Sequence, residues 1–281
     1  MNDPELPLLA PCGRVPGKRY PPTVNNDWSQ LYSSYPEVYD EFAVYQDSNH
    51  TVRRAISELV SLRGKVLIDV GSGTGKFTFE LAPLVDGAYS LEPCVPLLDI
   101  ARIRSRTIGT TKNITFVEAE AANIPLPNDS VDIAFSGHAI AALMSYDVVR
   151  RHRRSVVSLE DRELRYGARS DALREMKRVV RPGGWLFSLS ASPEGYGDEL
   201  MDVIFRNQRA VWSQSKTHFL TWMKETQGFS ETHIDSDWLF PDSGSAAACF
   251  GFIFGEHVAQ FIVSGNRRRF QNALILQFRR K

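Results

Sequence analysis

Cysteine is scarce: Cys12, Cys94 and Cys249 are the only three among 281 residues, and none has a partner at paired spacing. This excludes a disulfide framework and a structural zinc site, and it suits a reducing, cytoplasmic compartment. No His, Cys or carboxylate cluster has metal-ligand spacing, so no metal is expected. An excess of one charge is also missing. With 33 basic and 33 acidic residues, the chain lacks the basic surplus of proteins that work along a nucleic acid. Apolar runs of membrane-spanning length are absent too. The best, Ala246 to Phe254, is too short and contains Gly251. The N-terminus has no charged start followed by a long apolar segment, so no signal peptide is expected. What the chain does have is 43% apolar content, enough for one substantial core.

The most informative stretch is residues 66 to 75, Val-Leu-Ile-Asp-Val-Gly-Ser-Gly-Thr-Gly. Val66, Leu67, Ile68 and Val70 form a run too continuously apolar for a half-exposed strand, which predicts a central parallel strand covered on both faces. Gly71, Gly73 and Gly75 then bring backbone amides close to a ligand, and Phe77, Leu81 and Leu84 predict a helix over 74–84. Spacing narrows the ligand. A dinucleotide loop needs its third glycine where Lys76 stands, and a Walker loop needs Ser or Thr where Phe77 stands. Further strands are predicted at 88–92, ending in Glu92, where doubly wound folds set an acid against ribose hydroxyls, and at 114–118, 131–135 and 185–189. Ser136, Gly137 and His138 follow the strand at 131–135, on the edge where open α/β sheets bind ligands.

The Asp-x-Gly-x-Gly-x-Gly motif, Glu92-Pro93-Cys94 with Leu97 and Leu98, the stretch Glu118 to Pro127, and the Arg181-Pro182-Gly183-Gly184 turn occur in order. Together they resemble the class I S-adenosylmethionine-dependent methyltransferases, and among these the small-molecule, ubiquinone/menaquinone methyltransferase-like group. Tyr39-Asp40-Glu41-Phe42-Ala43 is similar to a lid signature of the same group. The resemblance implies a doubly wound, Rossmann-like seven-stranded α/β sheet with its last strand antiparallel. It implies S-adenosylmethionine as cofactor, S-adenosylhomocysteine as product, and a small-molecule acceptor. By the same resemblance, Asp69 orders the loop and meets the methionine ammonium, while Gly71, Ser72 and Gly73 face the methionine moiety. Glu92 and Pro93 border the ribose, and Glu120 and Ala121 meet the adenine, with Glu where the family usually has Asp. Ser136 and His138 lie by the transferable methyl, and His138 is the candidate base, ahead of His50, His233 and His257.

Outside these motifs, residues 1–27 are proline-rich and read as an arm, partly disordered or draped over the body. Residues 28–281 form the methyltransferase domain. Its aromatic start, Trp28 to Tyr45, either covers the cofactor or fastens a helix to the core. Inserts are expected at 145–170, 195–227 and 244–264. The first opens with Arg150-Arg151-His152-Arg153-Arg154, a solvated helix face or a clamp for an anionic substrate or a partner. The second is read as two helices and part of a lid. The third is too apolar for a free loop, so it packs over the site mouth or against another subunit in a homodimer. Two alternatives to a small-molecule enzyme stand: an RNA or protein methyltransferase, and an inactive cofactor-binding interaction protein.

Overall fold

The computed structural model describes residues 9–14, 16–109, 113–143, 159–195 and 197–281. Its sheet consists of β1 (Val66–Val70), β2 (Gly87–Leu91), β3 (Ile114–Val117), β4 (Val131–Gly137), β5 (Val180–Ala191), β6 (Ser230–Leu239) and β7 (Arg269–Arg280). They lie in the order β3-β2-β1-β4-β5-β7-β6. Neighbours from β3 through β5 pair in parallel, and β7 runs antiparallel to both β5 and β6. This is the doubly wound sheet with an antiparallel last strand that the motifs imply. The strand order reverses between β1 and β4, which opens a crevice at their C-terminal ends.

Helices cover both faces. α1 (Trp28–Ser34), α2 (Pro36–Val44), α3 (Thr51–Leu59), α4 (Lys76–Leu81), α5 (Val95–Ile108) and α6 (Ala139–Ala142) come first. α7 (Leu159–Val179), α8 (Asp198–Phe205), α9 (Arg209–Thr221), α10 (Ser243–Phe254) and α11 (Glu256–Ser264) follow. On one face Val52, Ile56, Phe77 and Leu81 pack against Leu67, Ile133 and Phe135. On the other, Leu173, Met176 and Phe219 pack against Ile68, Val70 and Ala134. Both faces of β1 are therefore covered, which is why its apolar run is continuous. Among the described residues, no helix is long and apolar enough to cross a membrane.

A third core, largely aromatic, joins the N-terminal helices to the last insert. Trp28, Phe42 and Trp238 meet Phe250 and Phe254 there, with ring centroids 5.1 to 6.4 Å apart. The apolar stretch 246–254 thus packs inside this chain, against α1 and α2. The arm lies over the same core: the Val24 and Asn26 amides donate to the carbonyls of Phe252 (2.8 Å) and Ile253 (2.7 Å).

Two elements depart from the sequence expectation. The helix after the glycine loop runs only to Leu81 and continues as a 3-10 turn, Ala82–Leu84, because Pro83 has no N–H to extend it. The Arg181-Pro182-Gly183-Gly184 stretch lies inside β5, not ahead of it. Val180 pairs with Val131 and Trp185 with Ile133, so the four residues between bulge out of the ladder. The bulge needs its glycines: Gly183 has φ of +80°, and a Cβ at Gly184 would come within 2.5 Å of the Asp132 carbonyl. The basic run 150–154 lies outside the described residues.

Candidate functional site

The loop after β1 is held from beneath by the end of β2. The Gly71 and Ser72 amides both donate to the Leu91 carbonyl, at 2.8 and 3.0 Å. The Ser90 hydroxyl donates to Ser72 Oγ at 2.8 Å. Gly71 is at φ +73°, and a Cβ there would fall 2.2 Å from that of Ala139, so the glycine is what lets α6 close against the loop. The Gly71 and Gly73 amides therefore have protein partners, where the resemblance has them facing the methionine moiety.

Glu92 joins the loop to the second strand. One carboxylate oxygen accepts from the Gly73 amide at 2.9 Å, and the other from the Cys94 amide at 2.9 Å. The group is 7% exposed. Burial raises its pKa, and the two amides hold the rise back. Each oxygen keeps a second lone pair, so the carboxylate can still take two hydroxyls. Pro93 beside it is exposed and leads into α5. Past β3, Glu120 is exposed and Ala121 half-buried, in a turn closed by the Asn123 amide on the Glu120 carbonyl at 3.0 Å.

Asp69 sits under the loop with 1% exposure. The Thr78 hydroxyl donates to Oδ2 at 2.6 Å, while Oδ1 is buried without a partner. Burial is the first cause that lifts its pKa to about 7, against the opposing pull of Thr78, and nearby Glu92 adds to the rise. Thr78 lies two residues into α4, and nothing in its spacing marks it as the partner of Asp69.

Tyr39, on α2, lies over the loop. Its ring and hydroxyl would stand 3.2 Å from a Cβ at Gly73. Burial first, then the negative charge of Glu92, raises its pKa. The next residue locks this lid. Asp40 has no exposure, and both its oxygens accept from Arg104 Nη2, at 2.5 and 2.6 Å. Arg104 Nη1 donates to the Thr74 carbonyl in the glycine loop at 2.6 Å, and the Cys12 amide donates to Asp40 at 2.9 Å. One buried ion pair thus ties together the arm, α2, α5 and the loop.

At the tip of β4, the Ser136 hydroxyl is spent on the Val70 carbonyl at 2.9 Å, bracing the two strands that flank the crevice. His138 follows at φ +65°. Gln46 Nε2 lies 3.2 Å from its Nε2, so with Gln46 donating, the ring proton sits on Nδ1. Burial, then the positive charge of Lys216, lowers the His138 pKa to about 3. His138 is thus at the edge the sequence predicts, but neutral and already hydrogen-bonded. The weaker candidates lie elsewhere: His50 pairs with Glu80 at 2.9 Å, and His257 bonds the Val203 carbonyl at 3.1 Å. Gln46 and Lys216 were not legible as site residues, since each reaches His138 only through the tertiary fold.

The donor set suits a nucleoside carrying a charged amino-acid tail. A carboxylate with spare lone pairs stands beside the loop, and a buried carboxylate oxygen without a partner lies below it. Comparison with known proteins agrees. A family profile described as "Methyltransferase domain" matches residues 61–230. An uncharacterized methyltransferase of Anoxybacillus flavithermus is 27% identical over 113 residues, covering 40% of this chain and 50% of that protein. The ubiquinone/menaquinone biosynthesis C-methyltransferase UbiE of Ectopseudomonas mendocina is 29% identical over 180 residues, or 59% of this chain and 61% of that protein. The chain thus spans about half to three-fifths of these relatives. In fold it matches the YcgJ protein of Bacillus subtilis, with a TM-score of 0.53 at 14% identity, over 83% of this chain and 98% of that one. With the profile covering more than half of the chain and the glycine loop and second-strand acid joined at one crevice, this protein belongs to the class I S-adenosylmethionine-dependent methyltransferases.

Proposed function

We propose that the chain moves the methyl group of S-adenosylmethionine onto a small-molecule acceptor. The observation that carries this reading is the Glu92 carboxylate bonded to the Gly73 amide, which makes the loop and the ribose-binding acid one rigid unit. In this reading Glu92 holds the two ribose hydroxyls, and Pro93 borders them. Glu120 and the Ala121 amide meet the adenine. The unpartnered oxygen of Asp69 takes the methionine ammonium, above the floor formed by Gly71, Ser72 and Gly73.

The bound cofactor supplies a methyl carbon on a sulfonium, and in-line displacement asks the protein for alignment and exclusion of water more than for acid–base chemistry. Tyr39 and the Asp40–Arg104 pair serve that need by holding a lid over the loop. Ser136 keeps β1 and β4 together beside the methyl. His138, with its pKa near 3, carries no charge at neutral pH and is a weak base. Its role is that of a hydrogen-bonding wall that orients the acceptor through the Nδ1–H, the ring nitrogen that Gln46 does not occupy.

A lid closed by aromatic packing and a formal net charge of zero favour a small acceptor over a polymer. The test is incubation with methyl-labelled S-adenosylmethionine and three fractions: a small-molecule extract, total RNA and total protein. Label in the small-molecule fraction supports the reading. Label in RNA or protein overturns the acceptor class, and label in none of them with no cofactor bound favours an inactive interaction protein.

A further inference from the structure

α9 carries a residue its position does not call for. The helix is fixed inward at two points: the Ser213 hydroxyl donates to the Pro193 carbonyl, just past the C-terminal end of β5, at 2.6 Å, and Phe219 is buried with Ile140, Ala141 and Leu173. Lys216 lies between these anchors, on the same helical stripe, where periodicity asks for an apolar side chain. Its ammonium stands 5.6 Å from the centre of the Trp212 ring, and no described carboxylate pairs with it. Its charge is felt at His138.

A second cation comes to the same place from α7. Arg169 is 3% exposed, donates to the Ala141 carbonyl at 2.9 Å and lies 4.7 Å over the Phe219 ring. Arg169 is close enough for its charge to lower the Lys216 pKa, after burial, to about 8. Phe219 stands three residues from Lys216 on α9, so Arg169 brings a second positive charge to the same stretch of that helix, where a ligand anion is favoured electrostatically. The aromatic rings of Trp212 and Phe219 add flat apolar surface beside the charges.

We propose that Lys216 and Arg169 form an anion-binding subsite for the acceptor, so that the methylated molecule carries a carboxylate or phosphate next to an aromatic or unsaturated frame. The inference rests on the methyltransferase reading for the meaning of the site, but the charge pair can be tested apart from it. The Arg169 bond to the Ala141 carbonyl sets the pair beside α6, which begins directly after His138 at the tip of β4, so the anion anchors one end of the acceptor and leaves the other toward the methyl.

The test uses the full chain and calorimetric titration with benzoate, phenyl phosphate and the neutral benzamide, each with and without S-adenosylhomocysteine. The expected result is that at least one of the anions binds about tenfold or more tighter than benzamide. Lys216→Met should abolish the preference, Lys216→Arg should retain it, and S-adenosylhomocysteine affinity should be the same in all three proteins. Tighter binding of benzoate than of phenyl phosphate would identify a carboxylate acceptor, and the reverse a phosphate. Equal binding of anions and benzamide, no saturable binding of either anion, or a preference that survives Lys216→Met would overturn the proposal. Absence of S-adenosylhomocysteine binding would instead count against the donor site, while the titrations without it still decide the subsite.

Discussion

Asp40→Ala probes the lid most severely, because it removes one member of a buried ion pair. Asp40 has no exposure and Arg104 only 6%, with the guanidinium nitrogen 2.5 and 2.6 Å from the two oxygens. Without the carboxylate, the Arg104 charge is left with the carbonyls of Thr74 and Ala10 and the ring of Phe79. Leaving a buried charge uncompensated costs about 3–5 kcal/mol. The Cys12 amide also loses its acceptor, but Cys12 is exposed, so water replaces most of that bond. Arg104→Met strands the opposite charge and costs a similar amount. The double variant removes both charges together, so it should cost less than the sum of the singles by about 2–3 kcal/mol. Urea unfolding of the four proteins at neutral pH measures the cycle. Since Arg104 also holds the Thr74 carbonyl, each single variant should weaken S-adenosylhomocysteine binding by loosening the loop. Singles that cost under about 1 kcal/mol each and simply add would make this an ordinary surface pair and refute the clamp.

Asp69 predicts a pH dependence of stability. Its folded pKa of about 7 lies above the ordinary 3.8, so its contribution is fully present below about pH 4 and is lost as the pH rises through 7. Relative to Asp69→Asn, wild-type stability should therefore fall by up to about 4 kcal/mol across that window, and a flat difference in urea midpoints would contradict it. For His138, whose pKa is lowered to about 3, the shift has the opposite sign: its contribution is present above the ordinary value of 6.5 and is lost as the pH falls below it. Nitrogen-15 NMR should find the ring neutral from about pH 5 to 8, and titration inside that range would refute the burial. Gly71→Ala forces a Cβ against Ala139 at φ +73°, for which backbone strain alone costs about 1–3 kcal/mol. Thermal unfolding of that variant at an unchanged melting temperature would show that α6 does not close on the loop.

The parts of this protein legible in its sequence are those written in consecutive residues. Val66 to Gly75 announces strand, loop and helix because the apolar run and the glycines are local signals, and Glu92 follows at the spacing that a crossover of fixed length imposes. The partners of these residues were not legible, because they come from distant chain. Arg104 meets Asp40 across 64 residues and Gln46 meets His138 across 92. Lys216 lies in a stretch whose pattern shows only a helix, since the feature that distinguishes it is the direction its helix face points. The Arg-Pro-Gly-Gly stretch was visible as a turn but not as a bulge, because bulging is decided by pairing with Val131 and Ile133 on another strand. His138 follows β4 directly, yet its protonation state is set by burial that no local pattern encodes.

The central claim is that the glycine loop and Glu92 together hold the methyl donor. Calorimetric titration of wild type and Glu92→Ala with S-adenosylhomocysteine tests it most directly. The predicted result is one saturable site per chain in the wild type and strongly weakened binding in the variant, whose Gly73 and Cys94 amides lose their acceptors. Absence of binding in the wild type, or equal affinity in the two proteins, would contradict the claim.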